Sequence, residues 1–289
     1  MQFQKIFVRL ATLALIAFLP ATAAAAGKPI SLARIPHIHV LAFDPVDPEK
    51  LLIATTRGLY RVDRAGKLET LLDEHYEIAG FLMSDDGQKI LVSGKKDGKG
   101  LGLLQSTNGG FSWYQHGIGD TPKFAMRALI NTDRHLKNLY AVSKVLAQSS
   151  DGGKSWRQIG PLPPGLIGLI APGPGHLNLL AATAKGPRES FDGGQEWVEV
   201  KAGSAGRPAS MIARGFRGDA FTFIVGEGLF VRRGGNAYWS RLAPAKDFDG
   251  ALIKLLSDGK SRRHMIVLTQ YMKIFETRDG GQTWKKFLR

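Results

Sequence analysis

The chain has 289 residues, 44% of them hydrophobic and 22% charged, enough to bury a sizeable core. It has no cysteine, which excludes disulfides, thiolate metal sites, a cysteine nucleophile and a lipid anchor on cysteine. A formal net charge of +14 and a pI near 10.0 favour anionic partners such as an acidic protein face or an acidic polysaccharide.

Residues 1–26 read as a secretory signal peptide. Lys5 and Arg9 form its basic start, Leu10 to Leu19 is an apolar run closed by Pro20, and 21–26 offers A-x-A cleavage sites. Ten apolar residues are too few to span a bilayer comfortably, so no integral membrane segment is expected. The mature chain, 27–289, is expected as one domain in a bacterial periplasm or outside the cell. Short β-branched and aromatic runs follow, bounded by Gly, Pro, Asn and Asp, which predicts strands and no helix. The first four are 38–44, 51–56, 59–63 and 68–72. Further units of the same kind start near Ile78, Met126, Leu166, Met211 and Ala251. P-L-P-P-G (161–165) and A-G-S-A-G-R-P (202–208) are loops between units, and 28–35 is free to add a strand beside the last one.

One phrase recurs: hydroxyl, any residue, Asp or Asn, Gly, Gly, two residues, Trp. It carries Asn108 and Trp113, Asp151 and Trp156, Asp192 and Trp197, and Asp279 and Trp284. Two glycines allow φ > 0 and a tight turn between strands. The short acid or amide accepts backbone N–H groups of that turn, and the Trp lays its ring on the hairpin. Two degenerate copies, 61–68 with Leu68 in the Trp place and 231–238 with Tyr238 there, complete a series at 63, 108, 151, 192, 233 and 279. The gaps are 45, 43, 41, 41 and 46. Four-stranded units repeated at this period predict an all-β, six-bladed β-propeller of antiparallel blades, with these phrases at outer hairpin turns.

The phrase resembles the Asp-box, or BNR, repeat of β-propeller proteins, over nearly the whole mature chain. Similar propellers include secreted bacterial proteins labelled glycosyl hydrolases, the photosystem II assembly factor type and sortilin-like receptors. The likeness to the first group rests on His37-Ile38-His39 with A-F-D-P-V-D-P (42–48), and on L-G-L-L-Q-S-T-N-G-G (101–110). An aromatic-His pair of that group stands here as Phe124-Ala125, against a three-His site. Sialidases also carry such boxes, and Arg34-Ile35-Pro36 matches one of their signatures. The second and third arginines of their triad and their Tyr–Glu pair have no recognisable counterpart.

Candidate chemistry falls in two places. His37 and His39, at i and i+2 on a strand, are expected on one side, facing the channel; with His75 they make an alternative metal site. No ligand-spacing motif completes that set, so no metal and no cofactor is expected. The loops between second and third strands gather at one end of the channel. They hold Arg57, Lys95, Lys96, Lys99, Lys144 and Lys185 in four blades, and Glu227 and Tyr271 in the other two. The expectation is therefore a non-enzymatic binding or assembly scaffold, taking an acidic protein or anionic glycan on that basic face. Nucleic acid is not expected, because the signal peptide directs the chain elsewhere. A glycoside hydrolase is the alternative; it needs two facing carboxylates, with Glu74, Asp120, Glu227 and Asp249 as loop candidates.

Overall fold

The computed structural model describes residues 37–116, 126–133, 135–173, 177–234 and 238–287. Residues 1–26, expected from sequence as a signal peptide, 28–35, Arg34-Ile35-Pro36, Asp120 and Phe124-Ala125 lie outside them. Twenty-four strands form six antiparallel four-stranded sheets, each built from four consecutive strands. Blade 1 comprises β1 (Ile38–Phe43), β2 (Leu51–Thr55), β3 (Gly58–Val62) and β4 (Leu68–Leu72). Blade 2 comprises β5 (Tyr76–Met83), β6 (Ile90–Lys96), β7 (Lys99–Ser106) and β8 (Tyr114–His116). Blade 3 comprises β9 (Ala128–Asn131), β10 (Leu139–Val142), β11 (Leu146–Ser149) and β12 (Arg157–Gly160). Blade 4 comprises β13 (Leu166–Ile170), β14 (Leu179–Thr183), β15 (Gly186–Ser190) and β16 (Val198–Glu199). Blade 5 comprises β17 (Ala209–Arg214), β18 (Ala220–Ile224), β19 (Gly228–Arg232) and β20 (Trp239–Pro244). Blade 6 comprises β21 (Leu252–Ser257), β22 (Met265–Thr269), β23 (Ile274–Thr277) and β24 (Lys285–Lys286). The only helical turns among the described residues are short 3-10 segments at Phe216–Gly218 and Ala245–Asp247.

The strand sequences follow from their places in a ring. Second strands such as β2, β14, β18 and β22 are buried at every residue, because a blade packs against a neighbour on both faces. Continuous apolar runs such as L-L-I-A-T and M-I-V-L-T are the result, in place of alternation. Three of the fourth strands are only two or three residues long, and the last is the exposed pair Lys285 and Lys286, which discourages pairing with another chain's edge. Six apolar clusters fill the six gaps between blades, one each, and Ile38, Leu41 and Ile53 of blade 1 meet Ile266 and Leu268 of blade 6 to close the ring.

The four full boxes sit at the turns between third and fourth strands. In each, the hydroxyl oxygen accepts the N–H of the second glycine at 2.7–2.9 Å, as Ser149 does from Gly153. Asn108, Asp151, Asp192 and Asp279 accept the backbone N–H four residues on, at 2.9–3.0 Å. These bonds hold Asp192, through the Glu196 N–H first, and Asp279, through the Thr283 hydroxyl first, below the ordinary carboxylate range. For Asp151 burial pushes the other way and the Ser155 hydroxyl and N–H prevail. The first glycine donates to a carbonyl in the same blade's first turn, Gly152 to Lys137 for instance at 2.8 Å.

Each box also reaches the preceding blade. Its second glycine, at φ between 92° and 98°, faces Leu71, Leu103, Leu146 or Leu242 there. Trp113, Trp156, Trp197 and Trp284 join the apolar cluster on that same side. Blades 1 and 5 have no full box, and charge pairs stand at the interfaces they would serve. Arg64 binds Glu276 of blade 6 at 2.7 Å and lies over the Phe287 ring. Arg232 binds Glu189 of blade 4 at 2.8 Å, with side chains only 12% and 7% exposed. Leu68 packs at the Trp place of blade 1, as expected. Tyr238 does not: it is 86% exposed, and the next residue, Trp239, enters the interface, one step out of register with the aligned phrase.

Candidate functional site

In an antiparallel blade the first and third turns share one end of the ring, and the second turns share the other with the blade-to-blade links. The sequence-predicted residues lie at the second-turn end: Arg57, Lys95, Lys96, Lys99, Lys144, Lys185, Glu227 and Tyr271 fall in or beside second turns. They are not electrostatically alike. Arg57 is paired with Glu74 at 2.5 Å and Lys95 with Glu77 at 3.4 Å. Lys96 stands over the Tyr76 ring at 5.0 Å. Glu227 is a loop anchor: it accepts the Ser204 N–H at 3.0 Å and binds Arg207 at 3.2 Å. Tyr271 is 63% exposed. Lys99, Lys144 and Lys185 have no acidic partner among the described residues. Lys185 also lines a cavity of about 310 Å³ with Lys201 and the backbone of Gly203–Gly206. The basic face is thus a sector over blades 2, 3 and 4, and blade 1 adds a neutralised pair.

The histidines are separated in role. His39 donates from Nδ1 to the Ile78 carbonyl, 2.9 Å away, tying the inner strands of blades 1 and 2. His37 precedes the strand with φ 43°, and the β1–β2 register shifts between Ile38 and Val40. Alternation that would set both rings on one side presupposes regular extended backbone across 37–39, and that condition is not met. His75 is paired with Asp97 at 2.9 Å, which raises the imidazole's pKa. No group of three His, Cys, Asp or Glu suited to a metal occurs among the described residues. Of the carboxylates, Glu74 is held by Arg57, Glu227 by Ser204 and Arg207, and Asp249 by Lys273.

A cavity absent from sequence reasoning opens at the opposite end. The first turns of all six blades surround a mouth of about 810 Å³ on the ring axis. Asp85 and Asp133 line it from blades 2 and 3, and Arg214, Phe216, Arg217 and Lys260 from blades 5 and 6. The blade 5 turn is a built loop. Asp219, fully buried, accepts from Arg233 and Arg262 at 2.8 Å and from the Gly234 N–H at 2.7 Å. Burial opposes ionisation of Asp219, and Arg262, Gly234 and Arg233 together hold its pKa low. The loop's backbone closes through Gly215 N–H to Asp219 O at 2.7 Å, with Arg217 at φ 51° and its guanidinium over the Phe216 ring. The legible signal was G-F-R-G-D (215–219): an aromatic and an arginine between glycines, unlike the Asp-rich first turns of blades 1 and 2.

The fold defines the class: a six-bladed β-propeller with a ligand-sized opening at its first-turn end. No family model and no curated relative matches the chain. Among solved structures it is similar to a GH74 enzyme from Niastella koreensis, at 14% identity and TM-score 0.65, over 87% of this chain and 45% of that one. It is also similar to YCF48 from Cyanidioschyzon merolae, at 16% identity and TM-score 0.56, over 88% and 86% of the two chains. A YCF48 structure bound to a D1 peptide matches at 16% identity and TM-score 0.55, over 87% and 81%. The chain spans a little under half the length of that GH74 enzyme, and at such identities these likenesses carry the fold. Among the described residues no helix is long and apolar enough to cross a membrane.

Proposed function

We propose that the chain is an exported binding or assembly scaffold that takes an acidic segment of a partner protein on its second-turn end. One observation carries this reading: Lys99, Lys144 and Lys185, from three consecutive blades, share one face and have no acidic partner among the described residues, whereas Arg57 and Lys95 nearby do. Gathered unpaired charge steers an oppositely charged partner and speeds its association. The likeness to a YCF48 structure with a bound peptide supports a peptide over a glycan. The GH74 likeness supports a hydrolase as the second reading, which the occupied carboxylates Glu74, Glu227 and Asp249 do not favour.

The test is titration of a fluorescent Glu-rich peptide into wild type and a Lys99→Gln/Lys144→Gln/Lys185→Gln variant. Each exposed pair contributes about 0.5 kcal/mol, so the triple change weakens binding about tenfold. Raising salt weakens wild type and leaves the variant nearly flat. Equal affinities, or release of reducing sugar from β-glucans by the purified protein, would overturn the reading.

A further inference from the structure

The mouth at the first-turn end has a charge order that its ring position makes meaningful. In a six-membered ring, blade 2 stands opposite blade 5 and blade 3 opposite blade 6. Asp85 and Asp133 therefore face Arg214, Arg217 and Lys260 across the axis. The three cations have no acidic partner among the described residues, in a protein that pairs Arg57, Arg61, Arg64, Arg207, Arg232, Arg233, Arg262 and Arg278 with carboxylates. Asp258, the carboxylate on the cationic side, forms no ion pair with these three cations: it accepts the Lys260 and Ser261 N–H groups at 2.9 and 3.0 Å and lies 3.4 Å from His264. Opposite, Asp133 is fixed by N–H groups of His135, Lys137 and Asn138, and although burial resists it, those bonds hold the carboxyl ionised.

The cationic side is also preorganised. Arg217 is a non-glycine residue in the left-handed region, an unfavourable conformation that persists only where surroundings impose it. Here they do, through Asp219 and its two arginines beneath the loop. The result points a guanidinium and an aromatic ring together into the opening. At about 810 Å³ the mouth lies within the range of small-ligand sites, roughly 300–1,000 Å³.

We infer that this mouth binds a small zwitterion of the short-peptide class, its carboxylate on Arg214, Arg217 and Lys260 and its ammonium toward Asp85 and Asp133. The guanidinium of Arg217 suits a carboxylate through two parallel N–H groups. The site is independent of the lysine face, which lies at the other end of the ring.

Isothermal titration with di-, tri- and tetra-alanine tests it, each beside its N-acetylated and its C-amidated form. The expected result is saturable binding of a free peptide, at least about tenfold tighter than either blocked form. Arg217→Gly deletes the cation while suiting φ 51°, so the fold is kept, and it abolishes binding. Lys260→Gln and Asp85→Asn each weaken it severalfold, and none of the three alters binding of the Glu-rich peptide at the other end. Equal binding of blocked and free peptides, binding indifferent to Arg217→Gly, or no saturation at millimolar peptide would overturn the inference.

Discussion

The second glycine of each box offers an experiment that separates backbone strain from crowding. Gly110 and Gly194 share a backbone conformation, φ 97° and 98°, but a Cβ on Gly110 would lie 3.3 Å from a Leu71 methyl, and one on Gly194 only 2.2 Å from a Leu146 methyl. Leu146 is fully buried, and Leu179 stands 3.3 Å from the same point, so that methyl has nowhere to swing. Gly110→Ala therefore carries chiefly the cost of a positive φ, about 1–3 kcal/mol. Gly194→Ala adds overpacking, about 1–3 kcal/mol more. Leu146→Ala on its own leaves a cavity costing about 2–5 kcal/mol, yet it removes the obstructing methyl. The double variant Gly194→Ala/Leu146→Ala should thus be more stable than the sum of its parts by at least about 1 kcal/mol. Urea unfolding followed by tryptophan fluorescence reads wild type and all four variants, since Trp156 and Trp197 lie in the adjoining clusters. Equal costs for the two alanines, or strict additivity in the double variant, would refute the claim that the box works by pressing its glycine onto the preceding blade.

Two further expectations follow from the charges. Arg232→Met strands the buried Glu189 carboxylate and should cost about 3–5 kcal/mol, whereas Arg232→Met/Glu189→Gln should recover at least half of that; melting temperatures check it. Asp151, Asp192, Asp279 and Glu276 all have depressed carboxyl pKa values, the last because Arg64 and His264 prevail over burial. Depressed groups contribute stability that is present above the unfolded carboxylate pKa, about 4, and is lost as pH falls through the folded values. Acid titration by circular dichroism should therefore show stability declining below about pH 4, less steeply in Asp151→Asn.

The architecture was legible because a propeller repeats its local physics. Hydroxyl, acid, two glycines and Trp make a turn that needs no distant partner to be recognised, and four intact copies fixed the period. Strand limits agreed within one or two residues for β1 to β4, since Pro, Gly and Asp punctuate them. Blade 5 was harder: its phrase keeps the glycines but loses the acid, so nothing local chose between Tyr238 and Trp239 for the interface. The face of each second-turn residue was readable from strand order. Its charge environment was not, because Arg57–Glu74 and Glu227–Arg207 join residues 17 and 20 positions apart on different loops. The six-bladed mouth escaped for a stronger reason: its members come from the first turns of all six repeats, and only closure of the ring brings them together.

That two interfaces lack a box has a mechanical consequence. Blades 1 to 4 are joined to one another by boxes, and so are blades 5 and 6; the seams between these arcs rest on Arg232–Glu189 and on Arg64–Glu276 with their flanking apolar side chains. The ring is therefore two stiff segments meeting at two compliant seams, and its softest deformation is a slight scissoring about them. Asp85 and Asp133 ride on the longer arc, Arg214, Arg217 and Lys260 on the shorter. A molecule spanning the mouth would bridge the arcs and brace the ring against that motion.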